Sequence, residues 1–150
     1  MRNAPGSRAL FLNLPVADLE ATKAFFGGLG FDFEPRFTDA RAAAMILNEG
    51  AWVMLLKREF FKTFTPRSLC ETSAAVEALI AFEVGSRAEV DALTETAVAQ
   101  GGQEARPPME HGSFMYSRSF FDLDGHQWEV LYTDHEGLAG EQGAGSEDRP

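Results

Sequence analysis

Leu14–Phe31 reads LPVADLEATKAFFGGLGF. Its front end closes an extended segment, Ala9–Val16 (ALFLNLPV), which predicts a strand. Pro15 confines that strand to an edge, or itself to the strand's end. Asp18 follows as a helix N-cap candidate. Leu19, Thr22, Phe25, Phe26 and Leu29 then recur near helical spacing, and Gly27, Gly28 and Gly30 supply the stop. Downstream, Phe31–Phe37 reads as extended. Arg41–Asn48 and Ala51–Leu56 read as a hairpin turning at Asn48-Glu49-Gly50.

The same unit starts again at an offset of 68 residues, where Ile80, Phe82 and Val84 repeat Leu12, Leu14 and Val16. Ser86 caps the second helix, with Glu89 three residues on in a capping box. Val90, Leu93, Ala97 and Val98 form its stripe, and Gly101-Gly102 end it. Phe114–Phe121 and Gln127–Tyr132 are strands around the turn Asp122–Gly125. Each half ends on an aromatic-led strand, WVMLL in one and WEVLY in the other. The expected fold is α+β, with paired βαβββ modules forming a curved mixed β-sheet around a cleft. The expected division is residues 1–7 as a flexible N-terminus and 8–133 as one domain. Within that domain module one covers about 8–56, a linker 57–77 and module two about 78–133. The linker carries Phe60, Phe61 and Phe64 among basic residues, which suggests a lid or a dimer contact. Residues 134–150 hold four glycines, and five acids against one arginine, and read as a flexible acidic tail.

Composition narrows the function classes. Of 150 residues 45% are hydrophobic and 13 are Phe, enough for a real core and too many for a disordered chain. A net charge of −10 argues against a nucleic-acid partner. No apolar run reaches the roughly 20 residues of a membrane span, and no secretory signal is visible. The single cysteine, Cys70, fits a reducing cytoplasm.

Two stretches, Leu14–Phe31 and FFDLDGHQWEVL (Phe120–Leu131), resemble the vicinal oxygen chelate superfamily. This superfamily holds glyoxalase I, bleomycin- and fosfomycin-resistance proteins and extradiol dioxygenases. Its versions read roughly V-x-D-L-x-x-S-x-x-F-Y-x-x-x-L-G-F and F-x-D-P-D-G-H-x-x-E-L. The likeness covers about residues 8–133, and departs from the pattern at Lys23 and Leu123. The resemblance implies a homodimer and one divalent metal in the cleft, held from the first and last strands of each half. Those positions fall here on Phe11, on Val53 (Met54 if the register slips), on Leu79 and on Glu129. Only Glu129 carries a ligating group, so no metal is expected. A divalent ion held by Glu129 and His111 is the minority alternative.

The remaining residues divide by strand parity. Ser117 and Ser119 share a face and line the cleft in the resemblance, where they meet a ligand beside Glu129. On the other face Arg118 pairs with Glu83 or another acid. With parity reversed, Arg118 lines the cleft and binds an anion. Glu129 is either satisfied by an Arg or a hydroxyl, or is a substrate contact or general base. Trp52 and Trp128 mark matching strands, as core or as ligand platform. Asp122 and Asp124 read as turn residues. The expected function is binding of a small organic molecule in an apolar cleft lined by Phe11, Leu79, Val53 and the tryptophans. The alternatives are a glyoxalase-like lyase or isomerase using Glu129, and an interaction protein whose cleft is only core.

Overall fold

The computed structural model describes residues 6–137. The chain divides between Glu71 and Thr72 into two compact units, each with its own sheet.

The first unit runs β1 (Leu10–Val16), α1 (Leu19–Gly28), a 3₁₀ turn at Pro35–Phe37, β2 (Ala42–Asn48), β3 (Ala51–Lys57) and α2 (Arg58–Lys62). Its sheet has the order β1-β3-β2, with β1 parallel and β2 antiparallel to β3. Pro15 therefore lies on an edge strand, where a missing N–H is tolerated. Asp18 caps α1 by accepting from the Ala21 N–H at 3.0 Å. Leu19, Thr22, Phe25 and Phe26 form the buried stripe of α1, and Leu14, Val16, Met45, Val53 and Leu55 are buried in the same unit.

The extended reading of Phe31–Phe37 holds only at its start. Phe33 bridges to Met45, and then Pro35 opens the 3₁₀ turn. Proline fixes φ and removes a ladder donor. The Thr38 hydroxyl takes over, donating to the Glu34 carbonyl at 2.7 Å and accepting from the Ala44 N–H at 3.1 Å. The expected aromatic cluster in the linker is also partly covered. Phe60 lies under the Arg41 guanidinium, 4.2 Å from ring centre to Cζ, and edge-to-face with Phe64 at 5.1 Å. Only Phe64 of the three is strongly exposed.

The second unit runs β4 (Leu79–Glu83), α3 (Arg87–Ala99), β5 (Gln103–His111), β6 (Met115–Phe121) and β7 (Gln127–Thr133), in sheet order β4-β7-β6-β5. β4 is parallel to β7, and the other pairs are antiparallel. Strand β5 is the strand that the βαβββ order requires after the second helix but to which no segment is assigned from the sequence, because Pro107 and Pro108 break its pattern. It survives as the edge strand, with register shifts on both sides of Arg106. Ser86 accepts from the Glu89 N–H at 3.1 Å, and Glu89 reaches back to the Gly85 N–H at 3.2 Å. Ser86→Ala is expected to lower stability by about 1 kcal/mol, read as a shifted urea midpoint with an unchanged slope.

The DLDG segment is a turn, as read. Asp122 is buried, and its Oδ1 accepts from the N–H groups of Asp124 (2.9 Å) and His126 (3.0 Å). Its Oδ2 accepts from the Trp128 indole at 2.9 Å. His126 is buried beside it, with Nδ1 2.9 Å from Glu77 Oε1. Gly125 has φ +85° and packs directly against the Thr72 carbonyl, so a side chain has neither the conformation nor the room.

The tail expected at 134–150 and the terminus at 1–7 lie largely outside the described residues. Among the described residues no helix is long and apolar enough to cross a membrane.

Candidate functional site

Each sheet buries one face under its helix and leaves the other open. On the first sheet Phe11, Asn13, Ala44, Ile46, Trp52 and Met54 line an open groove of about 850 Å³. The register explains the grouping: Phe11 is level with Trp52, and Asn13 and Ala44 with Met54. The Phe11 and Trp52 rings stack, with centroids 4.9 Å apart and planes within 10°. Phe11 is nonetheless 56% exposed and Phe37, on the groove's wall, 63%. The rim is polar, made of Asn48, Glu49 and the ion pair of Glu34 and Arg36. The hydrogen bond from Arg36 holds Glu34 below the usual carboxylate range.

On the second sheet the open face is polar. Arg106, Ser119, Glu129 and Ala81 stand level across β5, β6, β7 and β4. The Glu129 carboxylate pairs with the Arg106 guanidinium and lies in hydrogen-bond contact with the Ser119 hydroxyl. Gln127 Nε2 donates to both Ser119 Oγ and Glu129, at 3.2 Å each. Arg106 also donates to Ser117 Oγ at 3.0 Å. The Ser119 hydroxyl has the Trp128 carbonyl as a second acceptor at 2.9 Å, and its one proton serves one acceptor at a time. Glu129 is thus met by an Arg and a hydroxyl, the satisfied arrangement weighed above. Arg106 itself was missed, since its signal was hidden in the strand that Pro107 and Pro108 disguised.

The structure separates the sequence-expected residues. Phe11 and Trp52 lie in the first groove. Ser117, Ser119 and Glu129 come together on the open face of the second sheet, and Leu79, one step along from Ala81's neighbour Ile80, shares that face and is 62% exposed. Val53 is corrected. It is fully buried, level with Leu12 and Met45, on the side away from the groove. A match of Trp52 to Trp128 would set Val53 against Glu129 in the repeat, and the strand registers differ from that by one residue. Phe11 is level with Trp52, whereas its repeat mate Leu79 is level with Gln127. The true mate of Glu129 is therefore Met54, and a slip of one residue turns every side chain over. For the same reason Trp128 is core, stacked on Phe120, while Trp52 is half-buried and lines the groove.

Arg118 is also corrected: its side chain lies on the α3 side of the sheet, away from Ser119 and Glu129. It reaches Glu104 at 2.9 Å, and Asp91 at 3.1 Å and Glu95 at 3.6 Å on α3. It pairs with surface acids, although Glu83 instead meets His135 at 2.7 Å. The Tyr116 hydroxyl and then Arg118 hold Asp91 below its ordinary range.

The donor chemistry does not fit a divalent ion. The four positions that the resemblance marks are Phe11, Met54, Leu79 and Glu129, and the one carboxylate is already shared among Arg106, Ser119 and Gln127. His111 gives no second ligand. It stands opposite Met115, four residues along β6 from Ser119, which is level with Glu129. At about 3.3 Å per residue that is roughly 13 Å away. No group of three or more His, Cys, Asp or Glu suited to a metal occurs among the described residues.

A family model described as Glyoxalase/Bleomycin resistance protein/Dioxygenase superfamily matches residues 8–130. No curated protein matches the chain. Among solved structures, hypothetical protein SA1046 from S. aureus is 29% identical, with a TM-score of 0.70 over 85% of this chain and 93% of its own. A glyoxalase-related enzyme from Fulvimarina pelagi is 25% identical, with a TM-score of 0.70 over 85% and 88%. The fosfomycin resistance protein FosX from Mesorhizobium loti is 23% identical, with a TM-score of 0.57 over 88% and 95%, a likeness of fold.

Proposed function

The chain belongs to the Glyoxalase/Bleomycin resistance protein/Dioxygenase superfamily, and from that premise we propose that it binds a small organic molecule without a metal ion. One observation carries this reading. Phe11 and Trp52 form a stacked platform on the floor of a groove, Phe11 exposed and Trp52 half-buried. Exposed apolar surface of this kind is costly in water unless something covers it. An apolar floor with a few polar groups at the rim is the usual make-up of a small-molecule site. Asn13 and Asn48 supply hydrogen bonds at the edge, and an aromatic ligand would gain from the two rings. We further propose a homodimer in the cytoplasm, since family members are often dimers.

The lyase or isomerase reading puts the base at Glu129. That carboxylate stands on an open face, which favours the reading. A base must also have a lone pair free to take a proton, and here Arg106, Ser119 and Gln127 already take three of the carboxylate's roughly four lone-pair sites.

The test is a thermal-shift screen of neutral bicyclic aromatics against the full chain, followed by titration of the hits into Trp52→Ala. Loss of the platform is expected to weaken binding by about tenfold. Unchanged affinity in Trp52→Ala would exclude the groove. In parallel, protein reloaded with Zn, Ni, Mn, Co or Fe(II) is expected to retain no stoichiometric metal after dialysis. One tightly held ion per chain would overturn the metal-free reading.

A further inference from the structure

The placement of Arg106 is built into strand β5. Glu104, Arg106 and Met109 stand opposite Phe120, Ser119 and Ser117, so the register shifts both before and after Arg106. The cause is the run Arg106-Pro107-Pro108. Two prolines in succession withdraw two ladder donors, and the edge strand bulges where they pass. Such a bulge re-aims the side chain beside it. Arg106 is aimed inward over β6 to Glu129 on β7, and both side chains are largely covered, at 22% and 15% exposure.

A guanidinium has five N–H donors. Those of Arg106 that meet described residues go to the Pro107 carbonyl at 3.1 Å, to Ser117 at 3.0 Å and to Glu129. The Nε–H and one Nη1–H have no acceptor among the described residues. Two exposed apolar side chains flank the cluster on the same face. These are Leu79 on β4 and Met109, which stands opposite Ser117. They stand at opposite corners of that face, and Ala81, two residues along β4 from Leu79, leaves the surface low beside Glu129.

We infer that Arg106 with Ser117, Ser119 and Glu129 forms a subsite for a neutral carbonyl or amide oxygen of a small organic molecule, with Met109, on the same strand as Arg106, against its apolar part. The charge decides the class. Glu129 already neutralises Arg106, so a ligand carboxylate would meet a second carboxylate beside the guanidinium, on a chain of net charge −10. A cation would have to displace the guanidinium. An uncharged acceptor needs only one of the remaining N–H donors, which point along different edges of the guanidinium. The subsite lies within the second unit and does not rest on the groove of the first.

Nuclear magnetic resonance of the ¹⁵N-labelled full chain tests this, with benzamide and benzoate as probes. Benzamide is expected to shift the Arg106 Nε–H resonance saturably, together with backbone amides of β5 and β6. Benzoate at equal concentration is expected to shift them less. Arg106→Lys keeps a cation beside Glu129 but loses the planar donor fork, and is expected to lose the benzamide response in β6. An unmoved Arg106 resonance, a larger response to benzoate, or an undiminished response in Arg106→Lys would overturn the inference. So would benzamide shifts confined to β1–β3, which would leave the groove reading standing. If Arg106→Lys gives an unfolded spectrum, the wild-type Nε–H response decides alone.

Discussion

Asp122→Ala is expected to lower stability by about 3 kcal/mol and the melting midpoint by about 10 °C, measured by calorimetry at neutral pH. The carboxylate is the shared acceptor for two backbone N–H groups and the indole of a fully buried tryptophan. Alanine leaves all three donors without it, and each buried donor so stranded costs about 1–3 kcal/mol. Relief of the buried charge returns part of the loss, which keeps the sum near the lower end. Asp122→Asn is expected to cost roughly half as much. Its oxygen can still serve the two backbone groups, but its NH₂ then faces the Trp128 N–H.

The pH dependence separates charge from hydrogen bonding. Burial raises Asp122 above the usual carboxylate range, against the lowering pull of His126, the Trp128 indole and the two backbone N–H groups. With a raised native value, the folded chain holds more protons than the unfolded chain between the two values. The stabilisation from Asp122 is therefore greatest on the acid side of that window and declines as pH rises through it. Asp122→Asn lacks this slope, so its deficit against wild type is expected to narrow as pH rises across the window. A deficit that instead widens would mean that burial is not the dominant influence.

The same turn shows what was legible in the sequence. Asp122 and Gly125 announce a turn through their own chemistry, so a single chain suffices to read it. The helix starts at Asp18 and Ser86 are of the same kind, since a cap is a contact within three residues. The misreadings arise where a distant strand decides. Nothing within WVMLL says which neighbour lies level with Trp52, and only the pairing with β1 turns Met54 to the groove and Val53 to the core. Parity around Arg118 was open for the same reason, until Asp91 and Glu95 of α3 and Glu104 of β5 closed it. Strand β5 was hidden because its prolines oppose strand propensity locally, and only the edge of a sheet already formed tolerates them. The residue that matters most to the polar face, Arg106, sits where local preference and final structure disagree.

Glu129 gives the second large effect, and it decides between structural and catalytic roles. Glu129→Ala is expected to lower stability by about 2–3 kcal/mol, because it leaves a largely covered guanidinium unpaired and takes an acceptor from Ser119 and Gln127. Arg106→Leu is expected to cost less. The carboxylate it strands keeps the Ser119 and Gln127 donors. In the pair Arg106→Leu/Glu129→Leu no charge remains to be solvated, while Ser119 still has the Trp128 carbonyl. The double variant is expected to return to within about 1 kcal/mol of wild type, so that the two residues couple strongly in the cycle. Chemical denaturation of the four proteins measures this directly. A base held in reserve for catalysis would behave otherwise. It would sacrifice stability in the native protein, and Glu129→Ala would then leave the midpoint unchanged or raise it, while abolishing turnover of whatever substrate the protein accepts. Strong coupling with a destabilised single variant makes the pair a fixed part of the sheet, and leaves a ligand on that face only the donors that Arg106 has left over.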